Sequence, residues 1–258
     1  MSRLDPRLLL QCYTAGIFPM ADSRDAAELY WVEPRNRAIM PLNEFHMSRS
    51  LRRSVRSGRF HVTRDIDFAG VIRACANREE TWISDQIEAA MLALHATGHA
   101  HSIEVWRTTE EMTRLVGGLY GVKLGRAFFG ESMFSTVSDA YKVALAWLVA
   151  RLKVGGFTLL DCQFMTDHLA SLGAVSVPRE DYVVLLAGAL GGASTGGRPS
   201  GGGAASVLGA GPAAPRSGRE GDVPPDFVAL DRLLEASGAA GADGPCGYVI
   251  AQLLGQTS

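Results

Sequence analysis

The chain changes character after Leu190. Residues 191–221 are dominated by Gly, Ala, Ser and Pro, a composition that buries too little apolar surface to offset the entropy of ordering. This stretch is therefore expected to be a flexible, disordered linker. It confines the folded core to residues 1–190 and sets 222–258 apart as a C-terminal tail. The tail carries an amphipathic run at 227–234 and an apolar terminus at 248–254. Both offer faces that would dock on the core, at a place the sequence does not specify.

Within the core, 47% of the chain being hydrophobic is enough to bury a real interior. The formal net charge of −2 means that any nucleic-acid contact must come from a local patch. No apolar run reaches the roughly 18 residues of a membrane span, and the first residues lack the apolar stretch of a secretory leader. Cys12, Cys75, Cys162 and Cys246 are scattered without a CxxC pair, which reads as reduced thiols in a cytoplasmic protein.

Helix and strand signals alternate along 1–190. Asp5 and Pro6 open a first helix that Gly16 closes. Residues 46–60 hold five arginines and no acid, with a helical rhythm at Arg49, Arg52, Arg53 and Arg56. A strand is expected at 60–63, a helix at 68–76, and a helix capped by Ser84 that stops near Gly98. A half-buried strand at 99–107 follows, then a hairpin of 115–122 with 126–130 turning at Lys123, Leu124 and Gly125. Ser138 and Asp139 start a long helix ending at Gly155, followed by a strand at 157–161 and a short helix from Asp167. Strands outnumber βαβ crossovers, so the fold class is α+β with a mostly antiparallel sheet. The division expected is 1–60 as a small N-terminal region with the basic helix and 61–190 as the main domain.

Four groups of residues invite chemistry. Glu131 stands among Phe128, Phe129, Met133 and Phe134 at what reads as a strand end, either a polar handle in an apolar pocket or a carboxylate facing water. Asp161 and Gln163 alternate onto one strand face with Cys162 opposite; they suit an amine ligand, and equally suit bonding to nearby backbone. Cys162 with His168 has the makings of a nucleophile and base, and His95, His99 and His101 of a metal site. A buried structural thiol and ordinary loop and strand histidines explain these residues better, since the break at Gly98 spoils a shared face and no HExxH is present. The arginine cluster has no interleaved acid, so a phosphate-binding surface competes with a plain solvated face.

The ordered blocks Tyr13–Pro19, Tyr30-Trp31, Pro34-Arg35, His46–Arg53, Thr81-Trp82-Ile83, Gly98–Trp106, Leu115–Val122, Gly130–Ser135, Asp161-Cys162-Gln163 and His168–Ala174 together resemble the bacterial leucyl/phenylalanyl-tRNA–protein transferases. The resemblance spans roughly residues 5–187. It implies an acetyltransferase-like (GNAT) main domain and transfer of leucine or phenylalanine from its tRNA to proteins beginning with Arg or Lys, marking them for degradation. The substrates implied are leucyl- and phenylalanyl-tRNA and such acceptor proteins; no cofactor or metal is implied, and a cytoplasmic monomer is expected. Carried over by position, Asp161 and Gln163 match the catalytic pair and Glu131 the carboxylate of the site. Trp82, Phe128 and Met133 match the aminoacyl pocket, and Leu119 a pocket position where relatives often have methionine. Arg49, Arg52, Arg53 and Arg56 match the contact to the tRNA acceptor stem. Met20 stands where the family usually has tryptophan, which alters one pocket wall. The Gly- and Ala-rich tail has no counterpart in the best-known relatives. An acetyl-CoA-dependent N-acetyltransferase is the competing reading, weakened by the lack of a glycine run in 130–138 that would cradle a pyrophosphate.

Overall fold

Asp5 accepts from the Arg7 backbone N–H at 2.9 Å and opens α1 (Pro6–Thr14), and Gly16 at φ 75° turns the chain out of it, as the local signals require. This computed structural model describes residues 4–191, 223–239 and 246–255. The expected linker at 191–221 lies, apart from Gly191, outside the described residues. A two-stranded ribbon of β1 (Phe18–Met20) and β2 (Tyr30–Val32) follows α1, and then β3 (Asn36–Ile39). The arginine-rich segment is α2 (Arg49–Arg56), capped by the Ser48 hydroxyl. Next come β4 (His61–Arg64), α3 (Phe68–Ala76), α4 (Asp85–Ala96), β5 (Ala100–Thr108), β6 (Thr113–Leu124) and β7 (Ala127–Ser135). The core closes with α5 (Ala140–Val154), β8 (Leu159–Gln163), α6 (Asp167–Ser171), β9 (Val175–Pro178) and α7 (Arg179–Ala189); α8 (Ala229–Ala236) and α9 (Cys246–Leu253) belong to the tail.

Seven strands form one sheet in the order β4-β5-β6-β7-β8-β3-β9. Every neighbouring pair is antiparallel except β7 with β8, so the α+β class with a mostly antiparallel sheet holds. β3 lies within the first 60 residues yet sits between β8 and β9, so the sheet is continuous across the boundary expected at residue 60. Neither β3 nor β9 stands out in the sequence: each is only four residues long, and at that length the alternation signal is weak.

The expectation that β5 is half-buried is overturned. Ala100 through Val105 are all buried, because α3 and α4 pack on the strand through one apolar cluster and α5 through the other. Ser102 and Glu104 are satisfied inside: Glu104 accepts from Ser102 and, at 2.6 Å, from Thr63 on β4. Two apolar clusters result. One joins Ile103, Val105 and Phe128 to α5 and the tail; the other joins Tyr13, Phe18, Tyr120 and Phe129 to α3 and α4.

The tail is part of the first cluster. Phe227 is 2% exposed and stacks on Phe128 with ring centroids 5.5 Å apart. Its carbonyl accepts from Arg151 Nη1 at 2.7 Å, and Asp231 bridges Arg151 and Arg64. α8 packs on α5, and α9 packs on α2 and α5. Among the described residues no helix is long and apolar enough to cross a membrane.

Candidate active site

β7 and β8 are paired only from Ala127 with Leu159 to Phe129 with Asp161. Beyond that point the two strands part. On its other side β7 slips against β6: Tyr120 faces Ser132 while Gly121 faces Gly130. Glu131 is thus the extra residue of a β-bulge, and a bulge re-aims the side chain it carries. The sequence reading put Glu131 at a strand end; it is inside a strand that runs on to Ser135.

Gln163 closes β8 at φ 63°, a left-handed conformation that costs a non-glycine residue free energy and persists only when its surroundings fix it. Asp161 fixes it by accepting from the Gln163 backbone N–H at 2.8 Å. Asp161 is in turn held by Arg37 of β3, whose Nε and Nη2 donate to its two oxygens at 2.9 and 2.7 Å, and by the Tyr182 hydroxyl at 2.8 Å. Arg37 also donates to the Gly16 carbonyl at 3.0 Å and lies between the Phe18 and Tyr182 rings. Both charges are at most 1% exposed. A pair so deeply buried contributes less to net stability than its short distances suggest, because desolvation offsets the Coulomb gain, but removing one partner strands the other. Arg37, Tyr13 and Tyr182 were not singled out from the sequence: the partner of Arg37 is 124 residues away, and nothing local signals it.

Across the parting strands Gln163 Nε2 donates to Glu131 Oε1 at 3.0 Å. With the amide nitrogen so engaged, its oxygen is free to accept from an incoming N–H. Glu131 Oε2 and the hydroxyls of Tyr13 and Tyr120 are buried without a hydrogen-bond partner. Burial pushes the Glu131 carboxyl up to about 7; the nearby Tyr13 hydroxyl, the hydrogen bond from Gln163 and the charge of Arg37 only partly counter this, while the Asp161 charge adds to it. A carboxyl titrating near neutrality beside an unengaged amide oxygen is equipped to receive an amine and take its proton.

The opening between the strands is a cleft of about 80 Å³ whose walls include Leu119, Met133, Leu145, Leu148, Leu160 and Cys162, with Glu131 among its lining. Of the residues expected to shape an aminoacyl pocket, Leu119 and Met133 are on this wall. Phe128 is not: it is 1% exposed and stacked on Phe227. Trp82 and Met20 are half-buried against the second apolar cluster, outside the cleft. Larger cavities exist elsewhere among the described residues; this one is distinguished by the buried Glu131 carboxyl in its lining, with the Gln163 amide bonded to it. Burial raises the Cys162 thiol far above its ordinary range, and His168 meets Tyr141 at 3.1 Å; the two form no nucleophile–base couple. His101 pairs with Asp65 and His95 with the Ala100 carbonyl, and no group of three potential metal ligands occurs among the described residues.

The four arginines of α2 form a separate surface. Arg49, Arg53 and Arg56 are exposed and Arg52 is half-buried. They line one groove with Ser57 and Tyr248.

An amine acceptor and an acyl group with an apolar side chain are what this site accommodates, the substrate pair of an acyltransferase. Comparison with known proteins places the chain more narrowly. The model of the leucyl/phenylalanyl-tRNA protein transferase family matches residues 39–187, and that of its N-terminal domain residues 2–35. The chain belongs to this family. A leucyl/phenylalanyl-tRNA–protein transferase of Rhizorhabdus wittichii is 55% identical over 100% of both chains, so the tail has a counterpart there. Proteins of the same name from Zymomonas mobilis and Cereibacter sphaeroides are 60% and 59% identical over 72% and 73% of this chain, and 70% and 86% of their own lengths. Among solved structures, FemX has a TM-score of 0.43 at 12% identity over 66% of each chain, too slight a likeness to bear on the fold.

Proposed function

We infer that the chain transfers leucine or phenylalanine from aminoacyl-tRNA to the N-terminal α-amine of proteins beginning with Arg or Lys, in the cytoplasm, and so marks them for degradation. Membership of the family supports the reaction, and the observation that carries the mechanism is the Gln163–Glu131 pair beside the apolar cleft. The parting of β7 from β8 in an otherwise antiparallel sheet supports an acetyltransferase-like (GNAT) architecture for the core.

The aminoacyl ester is already activated, and its conversion to an amide runs downhill without ATP or a metal. The side chain of the donor amino acid enters the cleft between Leu119, Met133 and Leu148, where an adaptable thioether tolerates both leucine and phenylalanine, and methionine as well. The acceptor amine donates to the Gln163 oxygen. An α-ammonium has a pKa of roughly 7.7–8.0, close enough to the Glu131 carboxyl for Glu131 to take a proton as nitrogen attacks the ester carbon. The C–N bond forms, the C–O bond to the ribose breaks, and the ribose oxygen leaves with the proton that Glu131 took up, which returns Glu131 to its starting form. Asp161, its acceptor sites filled by Arg37, Tyr182 and Gln163 N–H, positions Gln163 and does not itself handle the proton. Positioning supplies much of the remaining acceleration.

The basic groove on α2 takes phosphates of the tRNA acceptor stem. The acetyl-CoA alternative finds no support at α5: Asp139 precedes this helix at φ 70° and holds Lys142, and a carboxylate at that end repels a pyrophosphate. Incubation with labelled leucyl-tRNA, or with labelled acetyl-CoA, and a peptide beginning with Arg separates the two. Leucine appearing on the peptide upholds the reading; acetyl incorporation, or no incorporation, refutes it.

A further inference from the structure

The terminal helix α9 lies against the basic helix in a built contact. Gly247, Ile250, Ala251 and Leu254 follow the i, i+3, i+4, i+7 spacing of one helix face, and the last three are buried. Gly247 meets the α2 backbone itself: a Cβ there would run into the Val55 carbonyl. At the far end, Gly255 leaves room for the Arg52 guanidinium. This face fixes Tyr248 beside the arginines. Arg56 lies over the Tyr248 ring, 4.1 Å from its centroid, while the residue remains 53% exposed. Arg49, Arg52, Arg53, Arg56, Ser57 and Tyr248 line a groove of about 440 Å³. None of the four arginines has an ion-pair partner among the described residues.

We propose that α9 completes the tRNA-binding surface, with Tyr248 as a wall of the groove that contacts the ribose or an unstacked base of the aminoacyl-tRNA while the arginines hold its phosphates. This rests on the reading of α2 as the tRNA contact. Two observations separate a completed surface from a cover that competes with tRNA. A cover over four guanidinium groups would bring carboxylates, and α9, CGYVIAQL, brings none. It also leaves the groove open with one aromatic in it. Guanidinium groups around an aromatic side chain are the combination that recognises single-stranded nucleic acid: the charges track the backbone and the ring stacks on a base or a sugar. Pairing with Arg56 holds the ring in place before the ligand arrives, which lowers the ordering cost of binding.

The experiment compares Tyr248→Ala, Tyr248→Phe and Arg53→Ala in the full chain. Affinity for intact aminoacyl-tRNA is measured against salt, together with kcat/KM for intact aminoacyl-tRNA and for a short aminoacylated nucleotide lacking the stem. Tyr248→Ala is expected to weaken tRNA binding about tenfold, the scale of one lost stacking contact, with little change in salt slope because no charge is removed. Its ratio of kcat/KM, intact over short donor, falls by the same factor, and Tyr248→Phe retains most of the affinity. Arg53→Ala weakens binding and lowers the salt slope by about one. Unchanged affinity in Tyr248→Ala, with Arg53→Ala weakened, overturns the proposal and leaves the α2 reading standing. Unchanged affinity in both overturns the two together. Tighter binding in Tyr248→Ala makes α9 a cover and refutes the proposal.

Discussion

Gln163 Nε2 donates to Glu131 Oε1 at 3.0 Å from across a pair of strands that stop pairing at Phe129 and Asp161. The bond ties the amide to one oxygen and leaves the other, Oε2, buried without a partner. Burial holds the carboxyl near 7, so at physiological pH it exists in both forms. The transfer rate should therefore climb as pH rises through about 7 and level off once Glu131 and the acceptor amine are both unprotonated. Glu131→Gln keeps the shape and loses the base, and should lower kcat on the order of 10²-fold and remove the Glu131 limb of the pH profile. A variant with wild-type turnover and an unchanged profile would take Glu131 out of proton transfer.

The same carboxyl makes a stability prediction. Its folded pKa lies above the ordinary 4.5, so the folded state binds the proton more tightly than the unfolded chain. Its favourable contribution is whole below about 4.5 and is lost as pH rises through about 7. Glu131→Gln cannot ionise. Urea midpoints for the two proteins at pH 5 and pH 8 should show the variant gaining relative to wild type at the higher pH. A difference that stays constant with pH would mean that Glu131 is not neutral in the folded protein at pH 5.

How much of this site could be read beforehand follows from the range of each signal. Asp5, Pro6, Gly16 and Ser84 act on their own neighbours: α1 starts and stops, and α4 starts, where those residues direct. Asp161 and Gln163 stood out as polar residues at the end of an apolar strand, and Glu131 as a carboxylate among aromatics. The bulge that aims Glu131 arises from the pairing of β7 with β6, and in residues 127–135 its one local hint is Gly130, an isolated glycine inside the strand. Arg37 was missed for a related reason: in 33–37 it looks like one solvated charge among several, and only the insertion of β3 beside β8 buries it on Asp161. The resemblance carries Phe128 to the pocket; here its ring stacks on Phe227, a residue beyond the linker that nothing near position 128 announces.

Asp161 and Arg37 should behave as one unit. Asp161→Asn leaves a guanidinium that is 1% exposed without its counter-charge, a loss of about 3–5 kcal/mol, and loosens the left-handed Gln163. Thermal denaturation should show Asp161→Asn, Asp161→Leu and Arg37→Met each strongly destabilised, with the double substitution Arg37→Met, Asp161→Leu costing less than the sum of Arg37→Met and Asp161→Leu. Transfer should fall in all of them, because Gln163 loses its anchor. Additive losses would show that the two side chains are not energetically coupled.

Leu119 and Met133 face the cleft, and their bulk sets which side chain enters. Leu119→Phe narrows the cleft and should reduce phenylalanine transfer more than leucine transfer. The shift expected in the ratio of kcat/KM is about tenfold or more, the scale of a methylene-sized misfit in an apolar pocket. Trp82→Ala, outside the cleft, should leave this ratio near its starting value. A ratio that responds to Trp82 and not to Leu119 would relocate the pocket toward β1.

The tail earns its own test, since its docking depends on few residues. Phe227 stacks on Phe128 and His101, and its carbonyl receives Arg151. Arg151 is 2% exposed, and its other partner is Asp231 of α8. Phe227→Ala removes the aromatic anchor and opens a cavity against Phe128, a loss of about 3–5 kcal/mol. At about 2–4 °C per kcal/mol for a chain of this size, the melting temperature should drop by roughly 10 °C. Asp231→Ala should cost a comparable amount by a different route, because the buried guanidinium loses its only carboxylate among the described residues. Truncation after Leu190 removes both contacts, exposes Phe128 and leaves Arg151 unpaired, so it should destabilise the core at least as much as either substitution. If the tail were an independent appendage, all three proteins would melt with the wild type; a common melting temperature is thus the outcome that would refute docking.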